Sequence, residues 1–333
     1  LDLVLMPLAR PVLELSHSWL VGEAVAIGVC LIPAQLLARW TEMDVHVRRR
    51  AALQALAFTG ISAGVLPVLI LSLTGGSTGP LLARPFWLNS LYIQLLAAPI
   101  IIGSSAVQEF ASRGHGTPLP LDPPVRLVRT GLYRYAANPM QASILLGFLC
   151  GGLILASWWV AAAGIVAFSF SAGFAWWNES GEMAARFRDS WTSYRSGVQN
   201  WIPRWRPLDT PSATIYVASG CPMCQGVGGW IARRNPRGLV IAAAEFHPAR
   251  RLTRITYECE GYVDEGVAAF ARAMEHINAG WALAGSAMRL PIVRACLQLV
   301  VDVSGGGALQ ISWNGPGHGS TESAQGLKGE HPR

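Results

Sequence analysis

Two groups of residues have types and spacing that could do chemistry. Cys221-Pro222-Met223-Cys224 follows the short β-branched run Thr214-Ile215-Tyr216-Val217 and precedes a stretch where Val227, Trp230 and Ile231 repeat at helical spacing. Strand, C-x-x-C, helix puts Cys221 at a helix amino terminus, where the positive end of the dipole favours a thiolate. Cys224, one turn on, can then resolve a mixed disulfide, and Pro222 constrains the turn between them. The rival use of the pair is zinc, with His247 and Cys259 completing four ligands, but no second tight ligand pair accompanies them. The second group lies between apolar stretches, as Val128-Arg-Thr-Gly131-Leu-Tyr133-Arg134-Tyr135-Ala-Ala-Asn138-Pro139, then Glu179, Glu182, Arg186 and Arg204. Singly these residues have plain readings: Asn138-Pro139 as a helix cap and first turn, the carboxylates as a solvated face, the tyrosines as an interfacial belt.

The elements that must position both groups differ in material. The chain has 333 residues, 51% hydrophobic and 14% charged, with a mean hydropathy of +0.33, against about a quarter charged in an ordinary soluble domain. Residues 1–178 hold 10 Lys/Arg and 7 Asp/Glu, whereas residues 179–333 hold 16 and 13. The net charge of +6 beside so apolar a first half points to a lipid surface, and no nucleic-acid module, phosphate loop or dinucleotide fingerprint is present.

Charge-free intervals long enough for about 20 apolar residues mark the spans. They predict helices over Trp19–Ala38, Ala51–Leu73 and Phe86–Val107, and two more within 135–178, broken near Ser157-Trp158-Trp159 and closed by Trp176-Trp177. Arg39 and Arg48–Arg50 follow the first span, and Arg113, Arg126, Arg129 and Arg134 lie between the third and fourth. The positive-inside bias makes both loops cytoplasmic, and five spans then put the carboxyl-terminal part in the cytosol. Leu1–His17 is too short and Pro-broken to span, and it lacks the basic start of a signal peptide.

Between the third and fourth spans five prolines, from Pro118 to Pro139, forbid helix and favour a rigid extended path. Backbone so close to the bilayer must pack on protein or line a cavity. The segment around Ala184–Trp201 reads as an amphipathic helix returning to the membrane surface.

The text GHGTPLP, LVRTGLYRYAANPM, the Glu179/Glu182 pair and F-x6-Y-x6-WIPR, over residues 85–206, resembles the isoprenylcysteine carboxyl methyltransferase and phospholipid methyltransferase group of integral-membrane enzymes. It departs from that pattern at Ala137, where the group has Arg, and at Ser180, where it has Glu. The resemblance implies S-adenosylmethionine held between the last two spans and the cytoplasmic segments, with a lipophilic small molecule or lipid as acceptor. On that reading Glu179 and Glu182 accept from the cofactor, and Val128, Tyr133, Tyr135, Asn138 and Pro139 line it. Gly131 permits close backbone approach, and Arg134, Arg186 or Arg204 orient an acidic acceptor.

Beyond the β-branched run, strands are expected at Leu239–Ala244 and Arg254–Cys259, and helices at Glu265–Ile277 and Trp281–Val301. IYVASGCPMC, RRNPRG and AMRLP resemble the DCC family of thiol-disulfide oxidoreductases over residues 212–303, with Ala218 where that family has Asp. The whole reads as an all-α polytopic membrane domain of about five transmembrane helices (1–207), a linker (208–212), a small α/β thioredoxin-like cytosolic domain (213–303), and a disordered tail (304–333). The function expected is methyl transfer to a lipophilic acceptor with an appended redox module served by a cytosolic thiol reductant. The alternatives are an NADPH-dependent membrane reductase of sterol-reductase type, or a degenerate membrane scaffold that only displays the C-x-x-C domain.

Overall fold

The computed structural model describes residues 17–118 and 122–313, with Met6 and Leu8; the side chains of Pro80, Leu82, Asn178, Glu179 and Ser180 fall outside that set. The expected amino-terminal segment (1–17) lies almost wholly outside it, and so does the tail from 314. The first half is five apolar helices: α1 (Trp19–Glu42), α2 (Val47–Thr74), α3 (Phe86–Gly114), α4 (Pro139–Leu155) and α5 (Trp158–Asn178). Helices α1, α2 and α3 are long and apolar enough to cross a membrane, as is the stretch Trp158–Gly197 that contains α5; α4 has 17 residues and falls short of that length. Phe86, Phe170 and Leu73 stand at least three-quarters exposed on the outer faces, so these helices present apolar side chains outward. Small residues let α4 and α5 approach: a Cβ on Gly152 would come within 2.7 Å of that of Ala161, and one on Gly164 within 2.6 Å of that of Phe148.

Buried Arg50 bonds to Asp44 at 3.0 Å and to Asp122 at 3.3 Å, so the two basic loops occupy the same end of the bundle. Arg84 caps the Ile154 carbonyl at the opposite end. A π-helical segment (Glu179–Met183) carries α5 on into α6 (Ala184–Gly197), which breaks direction at Arg188 and returns under the basic end.

The second half carries a four-stranded mixed sheet in the order β2-β1-β3-β4, from β1 (Ala213–Val217), β2 (Leu239–Ala243), β3 (Thr256–Cys259) and β4 (Tyr262–Glu265). β1 runs parallel to β2 and antiparallel to β3, and α7 (Pro222–Ala232) links β1 to β2. Ile215, Ile231 and Leu252, each at most 2% exposed, form its core.

The structure departs from expectation at four places. β4 was not foreseen: Glu260 (φ +49°) and Gly261 (φ +78°) make a two-residue hairpin turn, pairing Cys259 with Tyr262. The helix expected over Trp281–Val301 is two, α9 (Ala279–Arg289) and α10 (Pro291–Val301), bent by 86° where Pro291 cannot continue the hydrogen-bond ladder. Between β4 and α9, α8 (Val267–Met274) is shorter than the stretch predicted for it. The start of the expected tail is packed: Leu309 N donates to Thr253 O at 2.7 Å, Ile311 is 6% exposed in the core, and Trp313 Nε1 donates to His247 O.

The halves are joined by buried charge. Glu109, near the end of α3, meets Arg272 of α8 at 2.8 Å and Arg289 of α9 at 3.0 Å. Glu275 completes the square at 3.3 Å to Arg272 and 2.9 Å to Arg289, and Asp264 binds Arg272 and Arg113, each at 3.0 Å. The linker is pinned as well, because Arg134 donates to the carbonyls of Leu208 (2.8 Å) and Pro211 (2.7 Å).

Candidate functional site

The proline-rich segment and the LVRTGLYRYAANPM stretch fold against the basic end of the bundle and enclose a cavity of about 150 Å3. Val128, Tyr133, Asn138 and Met140 form one wall, Thr117, Pro123 and Pro124 a second, and Phe174 of α5 with Trp191 and Tyr194 of α6 the third. Tyr194 closes this wall, its hydroxyl donating to the Tyr133 carbonyl at 2.9 Å. The chain after α6 is clasped to the same wall, with Ala137 N donating to Gln199 O and Asn138 N to Asn200 O. Thr117 is 2% exposed and its buried hydroxyl has no hydrogen-bond partner, and Asn138 and Gln141 line the same cavity. Burial pushes the Tyr133 phenol well above its ordinary range, keeping it a neutral donor.

Four of the expected site residues behave otherwise. Arg134 is fully buried and spends its guanidinium on backbone carbonyls of the following segment, so it cannot orient an acceptor. Tyr135 points into the interface, donating to Glu275 O at 2.8 Å. Gly131 does have a positive φ of +63°, but it is Glu109 that comes close, with Cδ 3.1 Å from where a Cβ would lie. Arg204 holds the Gly197 carbonyl at 2.7 Å. Arg186 stands at the rim, bonded to Pro124 O at 2.9 Å and to Glu182 at 3.0 Å, so this exposed carboxylate is paired outside the cavity. Pro139 occupies the first turn of α4, and Glu179 opens the segment after α5 with its side chain outside the described set.

The lining combines aromatic side chains, Tyr133, Phe174 and Trp191, with the polar residues Thr117, Asn138 and Gln141. The volume is below the roughly 300–1,000 Å3 of small-molecule pockets, so a whole cofactor requires movement of α6 or of the proline-rich wall.

The second site is built as its spacing predicts. Cys221 caps α7, its sulfur accepting from Cys224 N at 3.2 Å, and the two Sγ atoms lie 2.6 Å apart. Cys221 is partly exposed and Cys224 is 6% exposed. Burial and the bond to Cys221 push the Cys224 thiol up to about 12. Glu245, which sequence reasoning passed over, accepts from Ser219 N at 2.7 Å and Gly220 N at 3.4 Å, and its other oxygen is buried without a partner. The backbone bonds hold this carboxyl below its usual range, so it stands ionised beside the cysteines.

The two residues proposed to complete a zinc site with the cysteine pair have other partners. His247 bonds to Glu258 at 3.1 Å and accepts from Ala249 N and Arg250 N, and Cys259 donates to Ser212 O. Among the described residues no three of His, Cys, Asp and Glu cluster for a metal. No family model, curated protein or solved structure matches the chain.

Proposed function

We propose that the chain is a membrane-embedded methyltransferase that takes its methyl group from S-adenosylmethionine and passes it to a lipophilic acceptor. One observation carries the reading: Thr117, Val128, Tyr133, Asn138, Phe174 and Tyr194, scattered over nearly 80 residues, line one cavity at the basic end of an apolar bundle. Adenosylmethionine supplies an electrophilic methyl, so the protein's task is alignment and exclusion of water. Tyr133, Phe174 and Trp191 would hold the flat ring, the Thr117 hydroxyl and the Asn138 and Gln141 amides would fix the polar edges, and Arg186 at the rim would face an acidic acceptor. Calorimetry with the full chain in detergent tests it, with NADPH as the paired control. Binding of adenosylmethionine that is lost in Asn138→Ala and Thr117→Val supports the reading; binding of NADPH alone replaces it with a reductase.

A second activity fits the carboxyl-terminal half, read as a thioredoxin-like domain from its β2-β1-β3-β4 order and its capped C-x-x-C. Cys221 attacks a disulfide and releases one thiolate; Cys224 then loses its proton and displaces the second thiolate. The domain is left oxidised and the target reduced, and a cytosolic dithiol restores the pair. The unequal burial of the two sulfurs favours this order.

A further inference from the structure

Helix α10 is amphipathic the wrong way round for a soluble domain. Gln298 faces inward, accepting from Val267 N at 2.9 Å and donating at 2.8 Å to Asp302, the residue just after the helix, which pairs with Arg254. The outward stripe of α10 and the turn that continues it (Asp302–Gly306) is Ile292, Cys296, Leu299, Val300 and Val303, at the i, i+4, i+7, i+8 and i+11 spacing of one helix face; Ile292 is 80% and Val303 81% exposed. Such a face is stable when the medium it meets is apolar. We propose that α10 is an interfacial membrane helix, its outer stripe lying among phospholipid acyl chains and seating the Cys221–Cys224 pair against the bilayer.

The occupant is read from what the helix is continuous with. Ser105 of α3 donates to Ser286 O at 3.3 Å and Arg289 pairs with Glu109, so α10 begins two residues beyond contacts with the end of an apolar span. Arg294, exposed at its first turn, is placed for a phosphate headgroup. Residues 314–333 contain a single large aliphatic side chain, Leu327, too little to cover the stripe. The turn that continues the helix reaches the redox motif: a Cβ on Gly306 would lie 3.1 Å from Met223 Sδ, and Met223 is itself exposed. The inference rests on the membrane reading of α1–α5 and not on the methyltransferase reading.

The test is nitroxide labelling of the full chain in phosphatidylcholine and phosphatidylglycerol vesicles. The label sits at Cys296, or at Ile292→Cys, Leu299→Cys or Val303→Cys, with Arg233→Cys as the aqueous control and the other cysteines changed to Ser. The expected result is relaxation by oxygen over an aqueous nickel chelate several-fold higher at the four stripe positions than at 233. Ratios equal to the control overturn the proposal, as does exclusion of both agents, which would mean a second copy or another part of the chain covers the stripe. A readout free of substitutions uses native Cys296 in vesicles opened to both faces, where an apolar maleimide should outpace a charged one. Equal labelling counts against the proposal.

Discussion

Replacing Glu109 with Gln removes one of three acidic groups from a buried cluster in which Glu109, Glu275 and Asp264 balance Arg113, Arg272 and Arg289. Arg272 and Arg289 are each 4% exposed, so water cannot take the place of the lost carboxylate. Breaking a buried pair in this way costs about 3–5 kcal/mol, because an uncompensated charge stays behind. The loss should appear where the halves meet. Hydrogen exchange of the segments around Thr130–Tyr135 and Arg272–Arg289 should speed up by about two to three and a half orders of magnitude, at tenfold per 1.4 kcal/mol. Exchange in the outer parts of α1 and α2 should not change. The double variant Glu109→Gln/Arg289→Met restores the balance and should cost less than the sum of the singles by about 1–3 kcal/mol. A single-variant cost below about 1 kcal/mol, with additive singles, would refute the view that this cluster holds the carboxyl-terminal half on the bundle.

Other outcomes follow from the same geometry. His276, fully buried, donates from Nδ1 to Arg237 O at 2.7 Å and accepts from Tyr257 at 2.9 Å, and burial holds it well below 6.5. The unfolded chain takes up the proton first, so stability of this half is full above pH 6.5 and falls by about 1.4 kcal/mol per pH unit below it; melts across pH 7 to 5 check this, and a flat profile would remove His276 as the cause. Iodoacetamide at neutral pH should alkylate Cys221 well before Cys224, whose thiol is pushed up to about 12, and equal rates by mass spectrometry would argue against unequal roles. Gly131→Ala should destabilise by about 1–3 kcal/mol, because it combines a left-handed backbone with a Cβ 3.1 Å from Glu109, and unchanged exchange around Thr130 would contradict that. Asn138→Ala should weaken adenosylmethionine binding while the helical circular dichroism is retained; unchanged affinity would take Asn138 out of the site.

How much was legible beforehand depended on how local each cause is. Apolar helices, their Pro and Gly boundaries, and the strand, C-x-x-C, helix unit are specified by neighbours within a few residues, and these lie where the pattern placed them. The Glu260-Gly261 hairpin and the break at Pro291 were readable in the same way, as a turn pair and a helix stop, and were passed over. The destinations of side chains were not readable. Arg134 and Tyr135 have the types and position of ligand-binding residues, yet their partners lie 74 to 140 residues away, in Leu208, Pro211 and Glu275. Glu109 looks like the first charged residue after an apolar span until two arginines, 163 and 180 residues later, are folded onto it. Local pattern therefore determined what the elements are and which pair of cysteines could react. Only the tertiary structure decided which polar groups remain free for chemistry, because a buried charge or hydroxyl takes whichever partner the packing brings within reach.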